Sequence, residues 1–218
     1  MPLAIFDLDN TLLNGDSDYL WGRYLVERGI VDGERYDREN DRFYREYEAG
    51  KLDIFEFLAF ALKPLADNSP EDLGRWREEF LHEKIAPIIL PAGRNLIEKH
   101  RSAGDTLMII TATNAFVTAP IAERLGIPHL LATDPEMNGG HYTGRVAGTP
   151  CFQNGKVERL QQWLAAHGAD LKGSFFYSDS RNDIPLLEQV EHPHAVDPDE
   201  ALTAHAQERG WPIISLRK

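Results

Sequence analysis

The stretch Leu3–Asp18, LAIFDLDNTLLNGDSD, decides how the chain folds. Four consecutive apolar residues, Leu3 to Phe6, read as a short strand buried on both faces, the kind found inside a parallel sheet. Asp7 and Asp9 follow at once, with Asp16 and Asp18 close behind. Like charges in a low dielectric repel, so carboxylates gathered at the end of a buried strand must be reconciled by a shared metal, a shared proton or different roles.

Further short apolar runs recur along the chain: TLMIIT (106–111), HLLA (129–132), SFFY (174–177), HAV (194–196) and PIISL (212–216). Amphipathic stretches separate them, and PAGRNLIEKHRSAG, KVERLQQWLAAHGA and PDEALTAHAQERG each carry glycine where a helix would stop. Apolar strands alternating with helices predict an α/β fold, a Rossmann-like parallel sheet covered on both faces. Between about Ser17 and Lys84 no strand is expected. YLWGRYLVERG, RFYREYEAG, IFEFLAFALKPL and DLGRWREEFLHEKI read instead as an α-helical bundle inserted after the first strand. DPEMNGGHYTGRVAG (134–148), with its NGG turn, predicts a small β-hairpin.

Composition narrows the class of function. The 218 residues carry a net charge of −12 and no Lys/Arg-rich run, which argues against nucleic acid and anionic membranes as partners. The one cysteine, Cys151, allows no internal disulfide and is expected to be a small buried residue; H-P-H (192–194) is expected to enter a strand rather than bind metal. No signal peptide or membrane span is expected, so the reading is a cytoplasmic protein. Oligomeric state is not legible.

Ligands of open parallel sheets bind beyond the carboxyl ends of the strands. Asp7, Thr111 and Asp179 are each expected at such an end. Asp7 and Asp9, two apart, point to one side of an extended chain. Mg²⁺ takes hard oxygen ligands, often one or two carboxylates with water and phosphate, and Asp179 and Asp183 in YSDSRND supply more acids. Lys156 opens the helix after the hairpin, while Thr111 and the amide of Ala112 beyond it suit phosphate oxygens. This set fits phosphoryl transfer through an aspartyl-phosphate, with a small phosphate ester as substrate. A calcium loop is a poor reading of DLDNT, because its sixth and twelfth positions are Leu12 and Asp18. A phosphoacceptor signalling domain would use Asp, Thr, Lys and Mg²⁺ too, but has no need of an acid like Asp9.

FDLDNT (6–11), IIT (109–111), GK (155–156) and SDSRND (178–183) stand in the order and spacing of the four motifs of haloacid-dehalogenase-superfamily phosphatases. The resemblance spans nearly the whole chain and is greatest to the phosphoserine-phosphatase-like branch. It implies a core of 1–15 and 86–218 with a C1-type helical cap of 16–85. It implies Asp7 as nucleophile and Asp9 as the acid that protonates the leaving alcohol and then activates water, its backbone carbonyl also facing Mg²⁺. Asp179 would bind the metal and Asp183 would bind it through water or orient a neighbour. Thr111, Ala112, Lys156 and Asn182 would contact substrate. The sequence departs from the family where Ser178 and Ser180 replace the glycines that often flank Asp179.

In phosphoserine phosphatases an acid after the first motif meets the substrate ammonium, and a cap arginine meets its carboxylate. Asp16 matches the acid, although it can equally cap the first cap helix. Ala59 and Phe60 stand where the arginine would be, with Arg23 and Arg45 as other candidates. A cationic ester without a carboxylate is therefore expected, histidinol phosphate first, with phosphoserine, phosphocholine or phosphoethanolamine as alternatives. Tyr19, Trp21, Phe57 and Phe60 could face its cation. Asp18 is read as helix punctuation without chemistry.

Overall fold

The computed structural model describes residues 1–217. Strand β1 (Leu3–Phe6) leads into five helices: α1 (Ser17–Glu27), α2 (Gly33–Glu48), α3 (Ile54–Ala61), α4 (Lys63–Asp67) and α5 (Pro70–Phe80). The chain then alternates through α6 (Pro91–Ala103), β2 (Thr106–Asn114), α7 (Ala115–Leu125) and β3 (His129–Thr133). The hairpin β4 (Pro135–Asn138) and β5 (His141–Val146) precedes α8 (Asn154–His167) and β6 (Phe175–Ser178). Last come α9 (Ile184–Leu187), β7 (His192–Val196), α10 (Glu200–Arg209) and β8 (Ile213–Ile214).

The six-stranded sheet has the order β3-β2-β1-β6-β7-β8, and every pairing in it is parallel. The chain works outward from β1 to β3, then returns to β1's other side with β6. The switch point therefore lies between β1 and β6, where a doubly wound sheet opens its ligand crevice. Alternate residues of β1 feed opposite faces. Ala4 and Phe6 join the cluster beneath α6, α7 and the inserted helices, while Leu3 and Ile5 join the one beneath α8, α9 and α10.

Local chemistry starts the helices. Asp16, Asp32, Asp53 and Ser69 accept backbone N–H bonds at the starts of α1, α2, α3 and α5. The hairpin turns through Gly139 and Gly140, whose φ of 57° and 84° is the left-handed pair that matches strand twist.

The outgoing and returning linkers of the inserted helices run side by side. Leu13 and Ile89 form a bridge, Asn14 N–H donates to Ile88 (2.8 Å) and Leu90 N–H donates to Leu12 (3.0 Å). Trp21 on α1 is buried among Tyr24, Phe80 and Phe116, so the inserted helices share an apolar cluster with the sheet's own helices.

One strand differs from its expectation. Thr111 does not end β2, which continues to Asn114 through a register shift against β3. The continuation also brings Thr113 to the cleft, where its hydroxyl donates to Asp9.

Candidate functional site

Asp7 follows the last residue of β1 and Asp179 follows the last residue of β6, so the two flank the switch point. Asp7 N–H donates to the Tyr177 carbonyl of β6 (2.9 Å), which locks the two strand ends together. Thr11 Oγ1 lies 3.4 Å from Asp7 Oδ2 and 3.0 Å from Asp179 Oδ1, and accepts from Asp179 N–H (3.1 Å). Burial raises Asp179 well above the usual carboxylate range, and the charges of Asp7 and Asp183 add to that.

Lys156, in the first turn of α8, is buried between two acids. Its Nζ is 2.8 Å from Asp7 Oδ1 and 2.7 to 2.8 Å from the two oxygens of Asp183. Burial pulls the ammonium's pKa down, but Asp183 and Asp7 outweigh it and hold the group charged. Asp7 still rises to about 7, because burial outweighs the pull of Lys156 and Asp183 and Asp9 add repulsion.

The glycine of the GK pair has a steric reason. A Cβ on Gly155 would lie 2.0 Å from the Pro150 carbonyl oxygen, a backbone atom that cannot step aside. Gly155→Ala is expected to displace the first turn of α8 and pull Lys156 off Asp7. Denaturant unfolding should register a loss of about 1–3 kcal/mol, with turnover falling alongside; an unchanged midpoint would refute the steric argument.

The carboxylate of Asp9 is held apart from this pair. Oδ1 accepts from Ser17 N–H (2.6 Å), the first residue of α1, and Oδ2 accepts from the Thr113 hydroxyl (2.8 Å) and, more weakly, Thr111 (3.5 Å). Burial raises its pKa against these donors, so the group is suited to hold and release a proton. Asp183 is committed to Lys156 and to the Ser178 hydroxyl (2.7 Å), which makes it an orienting partner of the lysine. The two serines build the loop that glycines would otherwise leave loose. Ser180 N–H donates to Ser178 Oγ (3.1 Å), and Ser180 Oγ accepts from Asn182 N–H and Nδ2 (both 3.2 Å).

Asn182 Nδ2 also reaches the Tyr47 carbonyl of α2 (3.4 Å), while Oδ1 accepts from Gln153 (3.1 Å). It thus ties the loop to the inserted helices. Arg181 lays its side chain against Gly50. Arg145 pairs with Glu136 (2.7 Å). Cys151 is buried and its thiol is pushed up to about 12 by that burial.

Beside these groups a cleft opens between the sheet edge and α1, α2 and α3. Asp7, Asp9, Asp16, Asp18, Thr111 and Ala112 line it, with Tyr19, Phe43, Tyr44, Tyr47, Phe57 and Phe152 as aromatic walls. Trp21 and Phe60 do not: Trp21 is core, and Phe60 packs on Tyr36 and Phe43. No lysine or arginine lines the cleft among the described residues. Arg23 is paired with Asp37 (2.8 Å), and Arg45 is exposed.

Asp16 Oδ1 accepts from the amides of Asp18 and Tyr19 (2.9 and 2.8 Å), so it does cap α1 while lining the cleft. Burial lifts it well above the carboxylate range, helped by Asp9 and Asp18. Two cleft residues, Asp18 and Thr113, have no chemistry assigned to them from the sequence. Asp18 fits a first helical turn without further role, and Thr113, two residues before α7 and just past the TLMIIT run, carries no separate signal.

Asp7, Asp179 and the intervening Thr11 hydroxyl are the groups that could hold a cation. Among the described residues no three acidic, histidine or cysteine side chains converge on one point. A cation there would take its remaining ligands from main-chain carbonyl, water and phosphate, as Mg²⁺ does. No helix among the described residues is long and apolar enough to cross a membrane.

Comparisons with known proteins bear on family and fold. The family model for haloacid dehalogenase-like hydrolases matches residues 4–188. A histidinol-phosphatase of Neisseria meningitidis is 46% identical over 219 residues, covering 99% of this chain and 99% of that protein. The crystal structure of a Bordetella pertussis protein of unknown function superposes with a TM-score of 0.93 at 46% identity, covering 99% of this chain and 98% of that one. A phospho-aspartyl intermediate analogue of phosphoserine phosphatase has a TM-score of 0.73 at 21% identity, covering 100% of this chain and 93% of its own, a likeness of fold.

Proposed function

The chain belongs to the haloacid dehalogenase-like hydrolases, as one of their phosphatases, and from that premise we propose a Mg²⁺-dependent phosphomonoesterase acting on a small cationic amino-alcohol phosphate, histidinol phosphate foremost. Asp7 Oδ attacks phosphorus and forms an aspartyl-phosphate as the ester oxygen departs. Asp9, held by Ser17 and Thr113, gives that oxygen its proton. The same carboxylate then takes a proton from water, whose oxygen attacks phosphorus and frees Asp7 and inorganic phosphate. Thr111 and the Ala112 amide receive phosphoryl oxygens, and Lys156 screens the charge that Asp7 brings to the phosphate. Mg²⁺ fits beside Asp7 and Asp179, where two repelling carboxylates share one hydroxyl; when bound it neutralises phosphoryl charge. Residues 16–85 act as the cap over the site, with the paired linkers at Leu13 and Ile89 as its base.

One observation carries the substrate reading. The cleft beside the phosphate end holds Asp16, Asp18 and aromatic walls, with no cation lining it to receive a substrate carboxylate. Phosphoserine would therefore leave its carboxylate unpaired among acids, a cost of about 1–3 kcal/mol or more. In a panel of phosphate esters, histidinol phosphate should be hydrolysed at least tenfold better in kcat/KM than phosphoserine. Chelation should abolish phosphate release and Mg²⁺ should restore it. A preference for phosphoserine would overturn the substrate reading. A stable phosphoenzyme that releases no phosphate would favour a signalling role.

A further inference from the structure

We propose that Asp18 is a specificity-determining residue that reads a second nitrogen-bearing group of the substrate, so that the cleft selects esters carrying an ammonium near the phosphate and an N–H-bearing ring beyond it. The proposal rests on the phosphatase reading above and assigns a role to a residue that its mechanism does not use.

Asp16 and Asp18 both line the cleft but are committed differently. Asp16 is pinned as the α1 cap by two backbone amides. Asp18 caps nothing: among the described residues its side chain receives one hydrogen bond, from Asn114 Nδ2 at 3.5 Å. Asn114 Oδ1 is spent on Val117 N–H (3.3 Å) at the start of α7, which fixes its amide with the NH₂ toward Asp18. Asp18 is thereby held half-buried as an acceptor with no cation beside it. Burial, with Asp9 adding repulsion, pushes its carboxyl up to about 7. A ligand N–H would satisfy the acceptor and offset that cost.

The two acids also address different places. Asp16 is anchored at the start of α1 by that helix's own amides, whereas Asp18 reaches across to Asn114 at the start of α7. An ammonium one carbon from the ester methylene suits Asp16. A planar ring farther out, lying among Tyr19, Phe43 and Phe57, suits Asp18. Phosphoethanolamine and phosphocholine would occupy the first position only.

The test compares histidinol phosphate with 2-aminopropyl phosphate, the same ester with hydrogen in place of the imidazole ring, in wild type and in Asp18→Asn, with Mg²⁺ supplied. Wild type should prefer the ring-bearing ester by tenfold or more in kcat/KM, chiefly through KM. In Asp18→Asn that preference should fall about tenfold, the loss of one charge-assisted hydrogen bond. A preference unchanged by Asp18→Asn, or by Asp18→Ser should the first variant not fold, overturns this proposal alone. So does a wild-type enzyme indifferent to the ring. Absence of turnover on every ester overturns the phosphatase reading and this one with it.

Discussion

Asp7→Asn is expected to abolish phosphate release, by at least about a thousandfold in kcat, while the protein stays folded. An amide nitrogen or oxygen cannot form the acyl phosphate that a carboxylate oxygen can. The substitution keeps shape and volume, and Lys156 keeps Asp183 as its partner. It also removes one charge from a site where Asp7 is held at about 7 by burial. Acid quenching during turnover should trap a hydroxylamine-sensitive phosphoenzyme in the wild type and none in the variant, with matching circular dichroism as the control. Full activity in Asp7→Asn would end the aspartyl-phosphate mechanism.

Lys156→Met should be the most damaging substitution for stability. Lys156, Asp7 and Asp183 are 3%, 4% and 1% exposed, so removing the ammonium strands two buried carboxylates. Breaking a buried pair from one side costs about 3–5 kcal/mol. The sign with pH follows from linkage. Lys156 lowers the pKa of Asp7, so its loss drives Asp7 further above the unfolded value of 3.8. The folded variant then binds more protons than the unfolded chain, and its stability is lost as pH rises from about 4 through 7 and beyond. Denaturant midpoints should therefore lie far below wild type at pH 8 and recover toward it at pH 5. Equal midpoints at pH 8, or a gap that widens on acidification, would show that Lys156 does not neutralise these acids.

Two kinds of residue separate cleanly here. Runs such as LAIF and TLMIIT were legible as strands because a strand covered on both faces must be apolar along its length. The inserted helices showed themselves by the spacing of aromatics and charges. Asp7, Asp179 and Lys156 could be placed at one edge because they follow or face strand ends that a parallel sheet aligns. Thr111 was misplaced as a strand end, since nothing local in TATN announces that β2 shifts register and continues. Ser178 and Ser180 could be read only as departures from glycine, whereas folded they hydrogen-bond Asp183 and Asn182 in place.

By itself the sequence determined the α/β order, the inserted helices, the hairpin and the acids at the sheet's carboxyl edge. Each of these depends on periodicity or on neighbours along the chain. Tertiary structure alone decided what each carboxylate does. Lys156 takes Asp7 and Asp183, Thr113 and Ser17 take Asp9, the helix start takes Asp16, and Asp18 is left facing the cleft. The partners come from elements up to 149 residues apart, and a buried charge takes its role from whatever packing brings against it.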